Sequence, residues 1–400
     1  MFESRAPSAE AVPEPVRAVL AALRAAGHEA VLVGGCVRDL LLGAAVSDFD
    51  AATAAPPEAV LALFPRAVPI GLRHGTVMVP TRAGPLDVTS FRAGPHLEDD
   101  LAHRDFTVNA IAWDGAGPDL IDPFGGARDL ARRRLAPVGD ARARFAEDPV
   151  RALRAARLVA ALGFEPEASL TAAMAEAREP LRRVARERVR RELEALLLAP
   201  GAAAGLALLR HTGLEAELAP GVAGDAAAVV GALPADLELR LAGWLRGTRA
   251  EAILGALRFG HRRAAAVGRL VARHPIDRQP LRGDADVRRL LHRVGEAGAE
   301  ALLRLREAEL AVAQPPDADA KARFAALRER IARVRAAGAL ALRRHELALD
   351  GSAVMALLGV GPGPLVGAAL RHLADCAIED PACNTPERLT SLLRAWHAAR

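Results

Sequence analysis

Tyrosine is absent from this 400-residue chain, lysine occurs once, at Lys321, and aromatic side chains make up only 3% of it. So few rings argue against a platform that holds single strands by stacking their bases. Cysteine occurs three times, at Cys36, Cys376 and Cys383, too seldom for a disulfide framework. The seven-residue spacing of the last two, with no second pair, argues against structural zinc. No run of 18 apolar residues occurs, and the opening MFESRAPSAE lacks a basic patch followed by an apolar stretch. Neither a transmembrane span nor a signal peptide is expected, and the cytoplasm is the expected compartment.

What is present belongs to an ordered globular protein, 51% hydrophobic and 26% charged. Four hundred residues exceed the usual reach of one hydrophobic core, so two or three domains are expected. Basic residues outnumber acidic ones 53 to 49, for a formal net charge of +4. With a single lysine, nearly every positive charge is a guanidinium, able to grip a phosphate or a base edge with two prongs. An arginine-biased genome would produce the same count.

Residues 13 to 27 carry Val16, Val19, Leu20 and Leu23 at helical spacing and end at Gly27, which predicts a helix with a stop signal. EAVLVGG and CVRDLLLG then read as strand, glycine turn and helix. Asp48 to Ala51, Thr76 to Pro80 and Leu86 to Ser90 read as short strands between Gly/Pro turns, with a helix near 57 to 64. Strand signals vanish after about residue 140. Residues 147–162, 168–177 and 183–198 are helical in pattern, and 201–400 continue as helices broken at Pro220, Pro234, Pro275, PPDADA and GVGPGP. The fold class expected is α+β: a mixed-sheet domain followed by an all-helical remainder.

Asp48 and Asp50, in S-D-F-D, are spaced i, i+2. On a strand both carboxylates face the same side, with Phe49 turned to the core. Close carboxylates repel unless a cation lies between them, and hard oxygen ligands suit Mg2+ carried with phosphates. A lone D-x-D is common, but Asp87, on a later strand opposite in face to Leu86 and Val88, supplies a third carboxylate. Gly34 and Gly35 sit between a strand and a helix, where the backbone can approach a phosphate, and Arg38 adds charge. The turn fits neither G-x-G-x-x-G nor the Walker pattern. Together these groups describe two-metal phosphoryl transfer onto a 3′-hydroxyl with pyrophosphate leaving. His103-Arg104-Asp105-Phe106 places charge beside a buried ring, and Asn109 can fix Asp105 by hydrogen bonding if the block is helical. Asp148 and Arg151, spaced i, i+3 with Arg154 one turn on, offer an acceptor and a donor for a base edge. An ordinary ion pair with solvated Arg154 and Arg157 is the structural alternative.

V-G-G-C-V-R-D, S-D-F-D-A-A-T, H-G-T-V, D-V-T-S-F-R, D-L-A-H-R-D-F-T-V-N-A-I-A, I-D-P-F-G-G and E-D-P-V-R-A-L-R-A-A-R occur in this order between residues 31 and 164. The series resembles the class II tRNA nucleotidyltransferase and poly(A) polymerase family. The resemblance continues more weakly through A-R-E-R-V-R-R-E-L at 185–193 and L-G-V-G-P-G-P-L-V-G at 358–367. It implies a polymerase-beta-like nucleotidyltransferase head over 1–137, a helical neck with the base-recognition helix over 138–200, and a helical body and tail over 201–400. It further implies Asp48 and Asp50 as the metal-binding pair of a two-ion Mg2+ site, and Asp87 as third catalytic carboxylate. Nucleotide binding falls to Gly34, Gly35, Arg38, Arg104, Asp105, Asn109, Asp148, Arg151, Arg154 and Arg157. The substrates implied are CTP and ATP, and the partner is the acceptor and T-arm region of tRNA.

Two departures bear on specificity. Only Ala93 to Asp99 separate the T-S-F-R strand from the D-L-A-H-R-D block, where relatives completing the full CCA end usually carry an extra segment, and His103 stands where the family usually has Arg. A CC-adding or A-adding enzyme, a poly(A) polymerase, and a non-catalytic RNA-binding protein with a degenerate head are the alternatives. Arg246-Gly247 stands where some relatives carry the His-Asp of a phosphohydrolase, so that activity is not expected. R-G-T-R at 246–249, G-H-R-R at 260–263 and the run at 329–344 are candidate RNA phosphate contacts or simply charged helix faces. Oligomeric state is not readable.

Overall fold

A computed structural model describes residues 6–71, 75–92, 94–279, 281, 283–337 and 347–399. His74 of H-G-T-V, Ala93, and residues 338–344 of the arginine-rich run lie outside the described residues. The chain divides into two compact units, 1–220 and 221–400.

The first unit opens with α1 (Glu14–Ala25), whose Val16, Val19, Leu20 and Leu23 are buried along one stripe. β1 (Ala30–Val33) is buried at all four positions, as a strand covered on both faces must be. There follow α2 (Gly35–Leu41), β2 (Phe49–Thr53), α3 (Pro57–Leu63), β3 (Val68–Gly71), β4 (Thr76–Thr81), β5 (Gly84–Ser90) and α4 (Leu97–Ala102). β6 (Ala112–Trp113) and β7 (Leu120–Ile121) complete a seven-stranded sheet in the order β3-β4-β5-β2-β1-β6-β7. The sheet is mixed: β2 runs parallel to β5, and every other pairing within it is antiparallel. β3, β6 and β7 add strands that the sequence pattern did not mark, two of them only two residues long.

Next come α5 (Gly126–Ala131), β8 (Arg134–Leu135), α6 (Ala141–Glu147), α7 (Val150–Leu162) and β9 (Glu165–Pro166). β9 pairs parallel with β8, so strand structure does not end at residue 140 as the sequence pattern predicted. The helix expected over 147–162 also begins later, because Pro149 disfavours helical backbone at Asp148, which is extended at φ −148°, ψ 96°. α8 (Ala168–Glu176), α9 (Arg178–Leu181), α10 (Arg186–Leu198), α11 (Ala202–His211) and α12 (Leu214–Leu218) finish the unit. α7 and α11 approach closely at Gly205, where a Cβ would stand 2.8 Å from the Ala156 carbonyl oxygen.

The second unit is all helical among the described residues: α13 (Ala226–Ala232), α14 (Leu237–Trp244), α15 (Ala250–Ala256), α16 (His261–Arg273), α17 (Asp284–Val312), α18 (Ala318–Ala336), α19 (Gly351–Leu358), α20 (Pro364–Glu379) and α21 (Pro386–Ala398). The breaks at Pro234 and Pro275 and the first residues of PPDADA (Pro315–Asp317) and of GVGPGP (Gly359–Gly363) fall between helices as read, while α17 is interrupted at Gly295, φ +71°. Leu291, Leu302, Phe324 and Ile331 anchor one core, and Val354, Leu373, Leu389 and Leu393 another. No described helix is long and apolar enough to cross a membrane.

Candidate functional site

The glycine turn after β1 leads into α2. Gly34 has φ +83°, a backbone conformation that favours glycine, and a Cβ there would also push on Nη1 of Arg104 at 2.9 Å. Gly35 meets only ordinary contact distances. From α2, Arg38 donates through Nε to Asp39 at 2.8 Å and through Nη1 to the Asn109 side-chain oxygen at 2.7 Å.

β2 carries the carboxylates. Asp48 immediately precedes the strand and accepts from Ser47 Oγ at 2.9 Å; Asp50 lies within it, and Phe49 between them is half-buried. Parallel pairing sets Asp50 directly beside Asp87 on β5, so the two side chains leave the same face of the sheet. Enclosure by protein pushes the Asp50 carboxyl above the usual carboxylate range, and the negative charge of Asp87, then of Asp48, pushes it further against the pull of Arg104 and Arg154. Burial and Asp48 raise Asp87 in the same way. Among the described residues no three His, Cys, Asp or Glu side chains form a ready-made metal cage. The fit to a hard divalent cation lies in the donor set: carboxylate oxygens whose repulsion a cation would relieve, with phosphate and water oxygens to complete its shell.

Opposite, the block after α4 is tied down from several sides. Asp100 is 1% exposed, and Oδ2 accepts from Arg104 Nη2 at 3.0 Å while Oδ1 accepts from Arg92 Nε at 2.9 Å. Burial opposes ionisation there, yet Arg104 and Arg92 hold its carboxyl below the usual range. Asp105, also buried, accepts from the Phe106 N–H at 2.9 Å and from Asn109 Nδ2 at 3.1 Å, and pairs with Arg154 Nε at 2.9 Å. Burial would raise it; Arg154 and the Asn109 hydrogen bond hold it low. Thr107–Asn109 is a 3-10 turn and not an α-helix, but it still brings Asn109 to Asp105.

α7 supplies the last wall. Arg151 pairs with Glu147 at 3.2 Å and donates to the His103 carbonyl at 2.9 Å, and Arg157 pairs with Glu192 at 2.6 Å. Asp148 lies outside the helix and accepts from Arg188 Nη2 at 2.6 Å. The expected i, i+3 arrangement of Asp148 and Arg151 on one helical face is therefore corrected: Pro149 detaches Asp148 from α7, and each side chain takes a different partner.

These elements enclose a cavity of about 700 Å3 that all the designated residues line except Asp87, which stands one strand away beside Asp50. Arg92, Arg188 and Ser47 also line it and were not singled out in the sequence. Asp100, behind Arg92 and Arg104, was likewise missed. Arg188 falls within A-R-E-R-V-R-R-E-L, but its meeting with Asp148, 40 positions away, left no local signal. Cys36 beside the turn is a core thiol, 1% exposed, that burial pushes up to about 11. In the second unit Arg246, where a phosphohydrolase would have His, is buried and paired with Asp225 and Glu309.

Residues 30–97 and 93–136 match the Poly A polymerase head domain, and 163–225 match a model described as a probable RNA and SrmB-binding site of polymerase A. The CCA-adding enzyme of Geobacillus stearothermophilus is 42% identical over 221 residues, 52% of this chain and 54% of that protein. The CC-adding tRNA nucleotidyltransferase of Shouchella clausii is 45% identical over 200 residues, 50% of this chain and 52% of that one. Such sequence matches span about half the length of these curated relatives. Over nearly the full length, the crystal structure of the Bacillus stearothermophilus CCA-adding enzyme in complex with CTP superposes with a TM-score of 0.78 at 32% identity, covering 97% of this chain and 98% of that one. With its glycine turn, its S-D-F-D carboxylates and its H-R-D and E-D-P-V-R blocks lining one cavity, and its fold shared over nearly its full length with such a relative, the chain belongs to the class II tRNA nucleotidyltransferase and poly(A) polymerase family.

Proposed function

We propose that this protein adds CMP and AMP from CTP and ATP to the 3′ end of tRNA without a nucleic-acid template. The observation that carries the reading is the placement of Asp48 and Asp50 beside the glycine turn in a cavity with seven lining arginines, with Asp87 on the neighbouring strand directly beside Asp50. In the reaction the terminal 3′-hydroxyl oxygen bonds to the α-phosphorus, the bond from that phosphorus to pyrophosphate breaks, and the hydroxyl proton is lost. Gly34, Gly35 and Arg38 hold the triphosphate, with Arg104 and Asn109 at its side. Asp48 and Asp50 would hold Mg2+, in a two-ion site. When bound, Mg2+ supplies charge neutralisation at the phosphates and acidifies the attacking hydroxyl. Asp87 orients that hydroxyl. Asp148 and Arg151 read the base edge, while Arg154 and Arg157 fix α7 through Asp105 and Glu192. The head covers 1–137, the neck 138–200, and body and tail 201–400, where arginines of the R-G-T-R stretch at 246–249, of G-H-R-R at 260–263 and of the run from 329 hold the acceptor and T-arm phosphates. The working compartment is the cytoplasm.

A second reading, CC addition alone, draws support from the short connection between Ser90, the last residue of β5, and Leu97, the first of α4. The CC-adding relative is in keeping with it. Mg2+-dependent incorporation of labelled CTP and ATP into tRNAs ending before the first C and after the second C, and into an unrelated RNA, separates the cases. Label from both nucleotides on tRNA alone supports CCA addition; CTP label only supports the CC specialist. ATP label on any RNA means a poly(A) polymerase, and no label overturns the transferase reading.

A further inference from the structure

The second unit holds a cavity of about 520 Å3 with no part in the transfer described above. α14, α16 and α17 wall it. Its floor is aliphatic: Leu239 and Leu302 are buried, and Leu270 and Val294 rest half-buried on the core beneath. The space exists because Ala266 on α16 and Ala297, Gly298 and Ala301 on α17 are small, next to the break at Gly295.

Arg269, Arg273, Arg293 and Arg304 line the cavity with Asp236, Glu238 and Glu300. α16 carries Arg262, Arg263, Arg269 and Arg273 and no acidic residue. The acids around the cavity already have partners: Asp236 accepts from the Leu239 N–H at 2.8 Å, Glu300 accepts from Arg304 at 3.0 Å, and Glu238 lies 3.8 Å from Arg263. Arg269 and Arg293 line the cavity from different helices and form no ion pair among the described residues. Unneutralised guanidiniums above an apolar floor favour a ligand that is anionic at one end and apolar along its body. The volume is that of a small-ligand site. A polynucleotide fits poorly, because no aromatic ring lines the cavity to stack a base and an aliphatic floor gains nothing from a phosphodiester chain.

We infer that this cavity binds an amphiphilic anion, an acyl or aryl body lying on Leu239, Leu270, Val294 and Leu302 with a single carboxylate, phosphate or sulfonate head held by Arg269 and Arg293. The site is independent of the transferase reading.

The probe is 8-anilinonaphthalene-1-sulfonate, an aryl anion whose fluorescence rises in apolar surroundings, titrated into the full chain. Saturable one-site binding is expected, displaced by laurate below its micelle concentration and unaffected by saturating CTP or inorganic phosphate. The double variant R269E/R293E should weaken binding by roughly ten- to a hundredfold. Ala297→Trp, at an exposed position, should fill the cavity and abolish binding with the far-UV melting curve unchanged, which keeps the test decisive if the double variant does not fold. Displacement by laurate identifies an acyl ligand, and displacement only by aryl phosphates or sulfonates an aromatic one. Loss of signal with CTP or with tRNA, or binding indifferent to both sets of substitutions, overturns the assignment.

Discussion

Asp50 and Asp87 are raised and Asp100 and Asp105 lowered, in and around one cavity. The opposite signs have opposite consequences for stability. A carboxyl raised on folding favours the folded state below its unfolded value and loses that contribution as pH rises through the folded one. Without divalent cations, the melting temperature should therefore climb as pH falls from neutrality toward the upper edge of the carboxylate range. Added Mg2+ or Asp50→Asn should flatten the climb, as differential scanning fluorimetry with and without chelator can check. Asp100 and Asp105 favour folding above the ordinary carboxylate range, and their share is lost as pH falls below it, down through their lowered folded values. Asp48→Ala should reduce incorporation of both nucleotides by about a thousandfold or more, since cation-supplied charge stabilisation is worth several kcal/mol. Arg151→Ala should instead disturb the ratio of CTP to ATP incorporation. Equal, modest losses for the two variants would contradict the roles assigned. Gly34→Ala places a side chain at φ +83° against Arg104 and should cost about 1–3 kcal/mol in stability, read from urea unfolding.

At the scale of elements, α7 is held in register by contacts from outside itself, among them Arg151 to the His103 carbonyl and Glu147, Arg154 to Asp105, and Arg157 to Glu192. Arg188 on α10 holds Asp148 beside it. Arg188→Ala should leave kcat for CTP within a few-fold while relaxing nucleotide choice, measured as the ratio of kcat/KM for CTP and ATP. A large loss of kcat with the ratio intact would place Arg188 elsewhere in the mechanism. Gly205→Leu should destabilise the first unit by roughly 1–3 kcal/mol or more, because α7 backbone lies where the new side chain must go. Elements of this length with strong periodicity could be read directly: Val16, Val19, Leu20 and Leu23 mark α1, and the apolar run before Gly34 marks β1. β6 and β7 could not, since two residues carry no period. The start of α7 was misplaced because the helical pattern of 147–162 ran unbroken through Pro149, whose effect falls on the residue before it. The residues that the ordered motifs single out, apart from Asp87, do meet in one cavity. Their partners were not legible: Arg188 to Asp148 and Arg38 to Asn109 are pairings across the fold, and only folding brings them together.

At the scale of the molecule, the two units invite different measurements. In the second, Glu309 accepts from His274 Nε2 at 2.9 Å and from Arg306, and although burial opposes it, these partners lower its carboxyl to about 2 from the usual 4.5. Its contribution is complete above pH 4.5 and is lost as pH falls toward 2. Trp244 is fully buried in this unit. In a Trp113→Phe background, Glu309→Gln should move the acid transition of tryptophan emission to higher pH. An unchanged midpoint would mean that the Glu309 network does not govern acid unfolding. One detail of the first unit constrains how such a chain can vary. Met78 on β4 and Asp50 on β2 both stand opposite Asp87, so β5 is gripped from both flanks. Removing a single codon within Leu86–Ser90 would turn an acid into the core and an aliphatic group toward the face that carries Asp50. Insertions and deletions can therefore accumulate in the connections around this strand, while the strand itself stays fixed in length.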